Sequence, residues 1–209
     1  MTKTLFTRRL KLCIINIYYI KDVKMIFEDI ISGSARFDAA TVLTVLFILA
    51  VGLLFCMLSA AIQKPFLKSG LSFPKTVFSL YSLFSVTSLA FFGAAPLKAE
   101  TSDRKKKAKI SLTLWLAFAA AGALFIAILF PLTNLRIFLT AGALFIGTAT
   151  VNLLPLPGFL LFGMLCGILP EKLSGKLEKA EKFSPVFIVF GLLLFARSGA
   201  VSAAVNLLL

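Results

Sequence analysis

Histidine is absent from all 209 residues, and acids are scarce: 9 Asp and Glu stand against 22 Lys and Arg, a formal net charge of +13. Charge of either sign is thin at 15%, while 59% of the residues are hydrophobic. A soluble domain typically carries about 25% charged and about 45–50% apolar residues, so this chain does not fit that class. The missing histidine excludes imidazole general bases, Ser-His-Asp and Cys-His machinery, and every His-ligated metal site. Cysteine is sparse as well. Cys13, Cys56 and Cys166 are isolated singles without a Cys-x-x-Cys. They suggest neither a disulfide framework nor a thiolate metal site, only small buried hydrophobes.

What is present in abundance is long apolar sequence. A membrane-spanning helix needs about 20 largely apolar residues. Candidate segments run at 40–61, 77–95, 110–130 and 135–154, with a shorter stretch at 158–169 and a last one from 186 to the C-terminus. The pattern predicts an all-α polytopic membrane bundle of about five to six transmembrane segments, filling residues 40–209. Basic residues lie between the apolar stretches, where they set membrane topology. No basic patch is interleaved with aromatics, so no nucleic-acid partner is expected. The expected surroundings are a lipid bilayer, that of a bacterial cytoplasmic membrane.

Residues 1–39 form a basic and amphipathic N-terminal segment. Within it, 1–24 carries Lys3, Arg8, Arg9, Lys11, Lys21 and Lys24 around a short apolar run. Two readings stand side by side: a basic interfacial helix, or translation that starts at Met25. Residues 170–185 read as a short interfacial helix, with Glu178 and Lys182 as an i,i+4 pair. Segment 77–95 is rich in hydroxyls and poses a topological conflict. The loops on both sides of it, 63–75 and 96–109, are basic, and both belong on the cytoplasmic side. A single crossing would separate them; a re-entrant segment would not. The hexapeptide AGALFI occurs at Ala121–Ile126 and again at Ala141–Ile146. Its flanks do not match, which reads as composition rather than a structural repeat. Arg197 lies inside the last apolar stretch and is expected to reach the headgroups. Asn152 and Gln63 are candidates for interhelical hydrogen bonds, with Asn152 expected rather to cap its helix or to satisfy backbone freed by Pro155.

The most informative motif is Asn152, Leu153, Leu154, Pro155, Leu156 and Pro157, followed by Leu169-Pro170-Glu171-Lys172-Leu173 and Leu177-Glu178. Earlier in the chain come Gly70-Leu71-Ser72-Phe73-Pro74, then Phe92-Gly93-Ala94-Ala95-Pro96-Leu97, then Arg104 to Lys107, then Ala121-Gly122-Ala123. In order and spacing this series resembles the site-2 protease family of intramembrane zinc metalloproteases, over roughly residues 40–205. The resemblance implies a helical membrane fold and, for active members, a zinc ion held by H-E-x-x-H and a later Asp.

The departures fall on that chemistry. The H-E-x-x-H window falls near Val51, Gly52 and Phe55, and the Asp position falls at Leu160. The Asn of the family's A-G-P-x-x-N falls at Ile126. The first apolar segment contains no His, Asp or Glu, so no shift of alignment supplies the ligands. An unpaired buried carboxylate or imidazole would cost several kcal/mol, which favours apolar replacements once the metal is lost. The expectation is therefore a catalytically inactive homologue with no catalytic residue, no metal ligand and no cofactor, zinc being the family's. Its role would be to bind or scaffold the transmembrane helices of other membrane proteins. A small transporter or channel component is the second expectation. A working membrane metalloendopeptidase ranks last, because Asp22, Glu28, Asp29, Asp38, Glu100, Asp103, Glu171, Glu178 and Glu181 all lie outside the apolar segments.

Overall fold

A computed structural model of the chain describes residues 39–67 and 79–208. The expectations for segment 1–38 and for Gly70–Pro74 lie outside the described residues. Helix α1, Ala39–Gln63, runs 25 residues with no proline inside it. It stops where Pro65, lacking an N–H, converts the chain into a 3-10 turn at Lys64–Phe66. Helix α2, Leu80–Phe92, starts at Ser79, whose hydroxyl accepts from the Ser82 N–H. It ends at Gly93, whose φ of 66° suits a residue without a Cβ. Residues 94–100 are extended.

Helix α3, Arg104–Thr133, is 30 residues long. Asp103 caps it by accepting from the Lys106 N–H, and a π-turn interrupts it at Phe125–Leu129. Pro131 does not end it, since it falls in the first turn after the interruption, where its missing N–H is tolerated. Helix α4 is Arg136–Val151, α5 Leu160–Ile168, α6 Glu171–Ala180, α7 Ser184–Ser198 and α8 Ala200–Leu208. The described residues contain no strand. Two helices, spanning Val45–Phe66 and Arg104–Thr133, are long and apolar enough to cross a membrane.

The two AGALFI copies sit on α3 and α4 and pack on each other. A Cβ on Gly122 would lie 2.7 Å from the Ile146 side chain, and one on Gly142 would lie 2.5 Å from Ile126. Phe125 and Phe145 stack between them at 5.5 Å and 16°. Each Gly lies four residues before its Ile, so both share one helix face. Antiparallel packing then brings the Gly of each copy onto the Ile of the other. The repeat is thus a reciprocal interface, not an accident of composition. Its flanks need not match, because only the contacting face is duplicated. Helix α5 uses the same close approach: Gly163 rests on Ser111, and Gly167 on Ala108 and the Arg104 carbonyl, both on α3.

The directions of the elements gather charge at one end. Gln63, at the end of α1, bonds to Lys98 and Glu100, and Asp103 and Arg104 follow at once. Arg104 donates to the carbonyls of Cys166 and Leu169 at the end of α5. Lys107 pairs with Glu181 at 2.6 Å, just after α6. Helix α2 leaves this end alongside α1, with Ser82 near Cys56 and Val86 against Gly52. Residues 94–100 then come back to it. The expected pair of Glu178 with Lys182 does not form as the Glu178 contact: its carboxylate lies 3.6 Å from Arg104 instead. A bundle cation with a fixed position outcompetes a flexible surface lysine.

Candidate functional site

The extended residues 94–100 have no neighbouring strand, yet Ala94, Ala95, Leu97 and Ala99 are buried. Buried backbone groups need partners, and here side chains supply them. Asn152, fully buried, accepts from the Leu97 N–H at 2.9 Å and donates to the Ala95 carbonyl at 2.8 Å and the Thr148 carbonyl at 2.7 Å. The Thr148 hydroxyl accepts from the Ala95 N–H at 3.1 Å. Gln63 does the same on the other side. Its amide donates to the Lys98 carbonyl at 3.0 Å and accepts from the Glu100 N–H at 2.8 Å. The Ser85 hydroxyl donates to the Pro96 carbonyl at 2.9 Å.

The bonds alternate as in a strand. Residues 95 and 97 face α4, whereas 96, 98 and 100 face α1 and α2. Each amide spans a carbonyl and the N–H two residues on, as a neighbouring strand would. Pro96, which has no N–H, occupies a place where only its carbonyl is used. Asn152 therefore caps its own helix, one of the roles expected of it, and serves the backbone of residues 95–97 rather than backbone freed by Pro155. Ser85 belongs to the hydroxyl-rich segment 77–95, whose Ser82, Ser85 and Ser88 are buried, whereas Thr148 did not stand out in the sequence. Thr148 carried a signal, since it lies one turn before Asn152 on the same face.

The remaining motif residues diverge. Leu153 is exposed, and Leu154 packs on the cluster around Val151, Phe159 and Leu192. Pro155 is exposed and Pro157 buried, and between them the chain turns from α4 into α5. Val51, Phe55 and Leu160 lie in one buried cluster with Phe118 and Phe145. The Phe55 ring meets Phe118 edge-on at 5.1 Å and Phe145 at 4.5 Å, a geometry that adds about 0.5–1.5 kcal/mol per pair beyond area burial. Gly52 sits against Val86 of α2. Ile126 is not part of this group and is buried under Gly142 in a separate cluster.

A small cavity of about 20 Å³ lies between α1, α2 and residues 96–100, lined by Phe55, Cys56, Ser59, Tyr81, Ser82 and Lys98 among others. That volume admits a single water. The Lys98 ammonium lies 5.9 Å from the Tyr81 ring centre, and the Tyr81 hydroxyl donates to the Gly158 carbonyl. Glu100 is half-buried, and its burial pushes the carboxyl above the usual carboxylate range, opposed by Lys98. Among the described residues no three of His, Cys, Asp and Glu come together as a metal-binding group.

The class defined by this architecture is an all-helical bundle with two helices of membrane-spanning length, built around a buried extended segment held by side-chain amides. No family model, curated protein or solved structure matches the chain.

Proposed function

We propose that the protein is a polytopic integral membrane protein, a catalytically inactive relative of the site-2-type intramembrane metalloproteases that binds transmembrane helices of other membrane proteins. The observation that carries this reading is the meeting of Phe55 and Leu160, with Val51, in one buried cluster. These positions, 105 residues apart by number (160 − 55), are those the resemblance gives to metal ligands. A second contact supports it. The motif beginning at Asn152 and the segment at Phe92–Leu97 entered the resemblance separately, and Asn152 bonds directly to Ala95 and Leu97.

In this reading residues 80–100 are re-entrant. The 13 residues of α2 reach about 20 Å at 1.5 Å per residue, short of a hydrocarbon core about 30 Å thick. Extended backbone at membrane depth is tolerated only when protein encloses it, and Asn152, Gln63, Thr148 and Ser85 do so here. Both basic loops then share one side, which removes the topological conflict and makes the Lys-rich end cytoplasmic.

The test is zinc content and proteolysis of the purified, reconstituted chain. The expected result is substoichiometric zinc and no metal-dependent cleavage of a transmembrane substrate; tight stoichiometric zinc or such cleavage would overturn the inactive assignment. Resistance to alkaline carbonate extraction tests the membrane assignment separately.

A further inference from the structure

Helix α6 and the turn after it look weakly charged in sequence, since Glu171, Glu178 and Glu181 accompany Lys172, Lys176, Lys179 and Lys182. The fold sorts these charges in space. Glu181 is held by Lys107 at 2.6 Å and is largely enclosed, while Glu178, still 42% exposed, approaches Arg104 at 3.6 Å, so each of these two acids has a cation of α3 beside it. Ser174, on the same inner face, is fully buried and donates to Glu178. Outward remain Lys176, Lys179 and Lys182, all exposed, with Leu173 53%, Phe183 63% and Ile168 79% exposed. Lys105 and Lys109 of α3 are exposed at the same end.

A surface that pairs exposed apolar side chains with exposed lysines matches the boundary between headgroups and acyl chains. We infer that the elbow Ile168–Phe183 is a docking surface for acidic phospholipid headgroups. Ile168, Leu173 and Phe183 enter the acyl boundary while Lys176, Lys179 and Lys182 contact the phosphates. The pairing of these acids matters, because a Glu178 or Glu181 without its cation would repel the same phosphates. Lys107 and Arg104 thereby act at a distance, by removing negative charge from the outer face rather than by touching lipid.

This inference rests on the membrane reading, and the experiment separates the two. The full chain is reconstituted with photoactivatable phosphatidylglycerol or photoactivatable phosphatidylcholine in otherwise identical vesicles, and labelled peptides are measured by mass spectrometry. Peptides from α1 are expected to label equally with both lipids. The peptide spanning Leu173–Phe183 is expected to favour phosphatidylglycerol by about fivefold, as expected for lysines near an anionic surface. That preference should vanish in 1 M salt, where the Debye length is about 3 Å. The triple variant Lys176→Gln, Lys179→Gln, Lys182→Gln, which alters only exposed side chains, should label equally with both lipids. Labelling of α1 without any lipid preference at the elbow would overturn this inference alone. Absence of labelling anywhere would overturn the membrane reading with it. A labelled RNA that binds the chain and not the triple variant, alongside equal lipid labelling, would overturn the inference in favour of nucleic acid.

Discussion

Gly122 lies beneath Ile146, and the relationship is returned by Gly142 beneath Ile126, so one six-residue word is used twice to make both halves of a single interface. A side chain at either glycine must displace an isoleucine or separate the helices. Gly142→Leu is expected to destabilise the fold by about 1–3 kcal/mol, the usual range for overpacking. Adding Ile126→Ala should recover part of that loss, since it empties the space the leucine needs. Melting of the purified single and double variants reads the coupling. Strict additivity would show that the two copies do not contact each other.

Asn152 and residues 95–97 form the second relationship with a measurable consequence. Asn152→Leu keeps the volume but leaves the Ala95 carbonyl and the Leu97 N–H without this partner inside the protein. At about 1–3 kcal/mol for each buried group left unmade, the loss should be roughly 2–6 kcal/mol. Leu153→Asn, one residue on and exposed, is the matched control and should change little. Comparable melting midpoints for the two variants would refute the role assigned to Asn152.

Lys107 and Glu181 join α3 to the chain just beyond α6, and both side chains are largely enclosed, at 11% and 23% exposure. Lys107→Met should cost about 2–4 kcal/mol, slightly below the range for a fully buried pair, because it strands the Glu181 carboxylate. Glu181→Gln on top of Lys107→Met should restore much of it. If the double variant is no more stable than Lys107→Met, the cost lies in lysine packing rather than in the stranded charge.

Glu100 gives a pH dependence with a definite sign. Its carboxyl is raised above 4.5 by burial, so the folded state binds the proton more tightly than the unfolded state. The contribution is fully present below pH 4.5 and is lost as pH rises through the higher folded value. Glu100→Gln should remove this dependence and gain stability relative to the parent as pH increases from about 4 to 7. The backbone bond from Glu100 to Gln63 is retained in that variant. A parent that gains stability over the variant across this interval would contradict the direction of the shift.

The re-entrant path proposed for residues 80–100 predicts accessibility. Single cysteines placed at Ser102 and at Lys64 should react with an impermeant maleimide from the same side of sealed vesicles, and one at Leu132 from the opposite side. Reaction of Ser102 and Lys64 from opposite sides would mean that the segment crosses once.

Composition alone made this chain helical and apolar, because runs of 20 or more apolar residues admit few other structures. Local chemistry marked some boundaries in advance, Pro65 after α1 and the charged sequence of α6, whereas the second apolar segment was carried to residue 95 and its helix ends at Gly93. Asn152 was visible as a motif residue, and the first apolar segment already showed that it held no His, Asp or Glu. The sequence left three matters open, each because it depends on which surfaces meet. Where the chain goes after α2 was open, and the pairing of residues 95–100 with Asn152 and Gln63 brings it back beside the end of α1. The two AGALFI copies were identical words without a shared context, and antiparallel packing alone makes them reciprocal. Helix α6 and the turn after it carried acids and lysines nearly in balance, and Arg104 and Lys107 of α3 pair with Glu178 and Glu181 while Lys176, Lys179 and Lys182 stay exposed. Periodicity and composition act along the chain, whereas hydrogen-bond partners, ring contacts and ion pairs act between segments far apart in it.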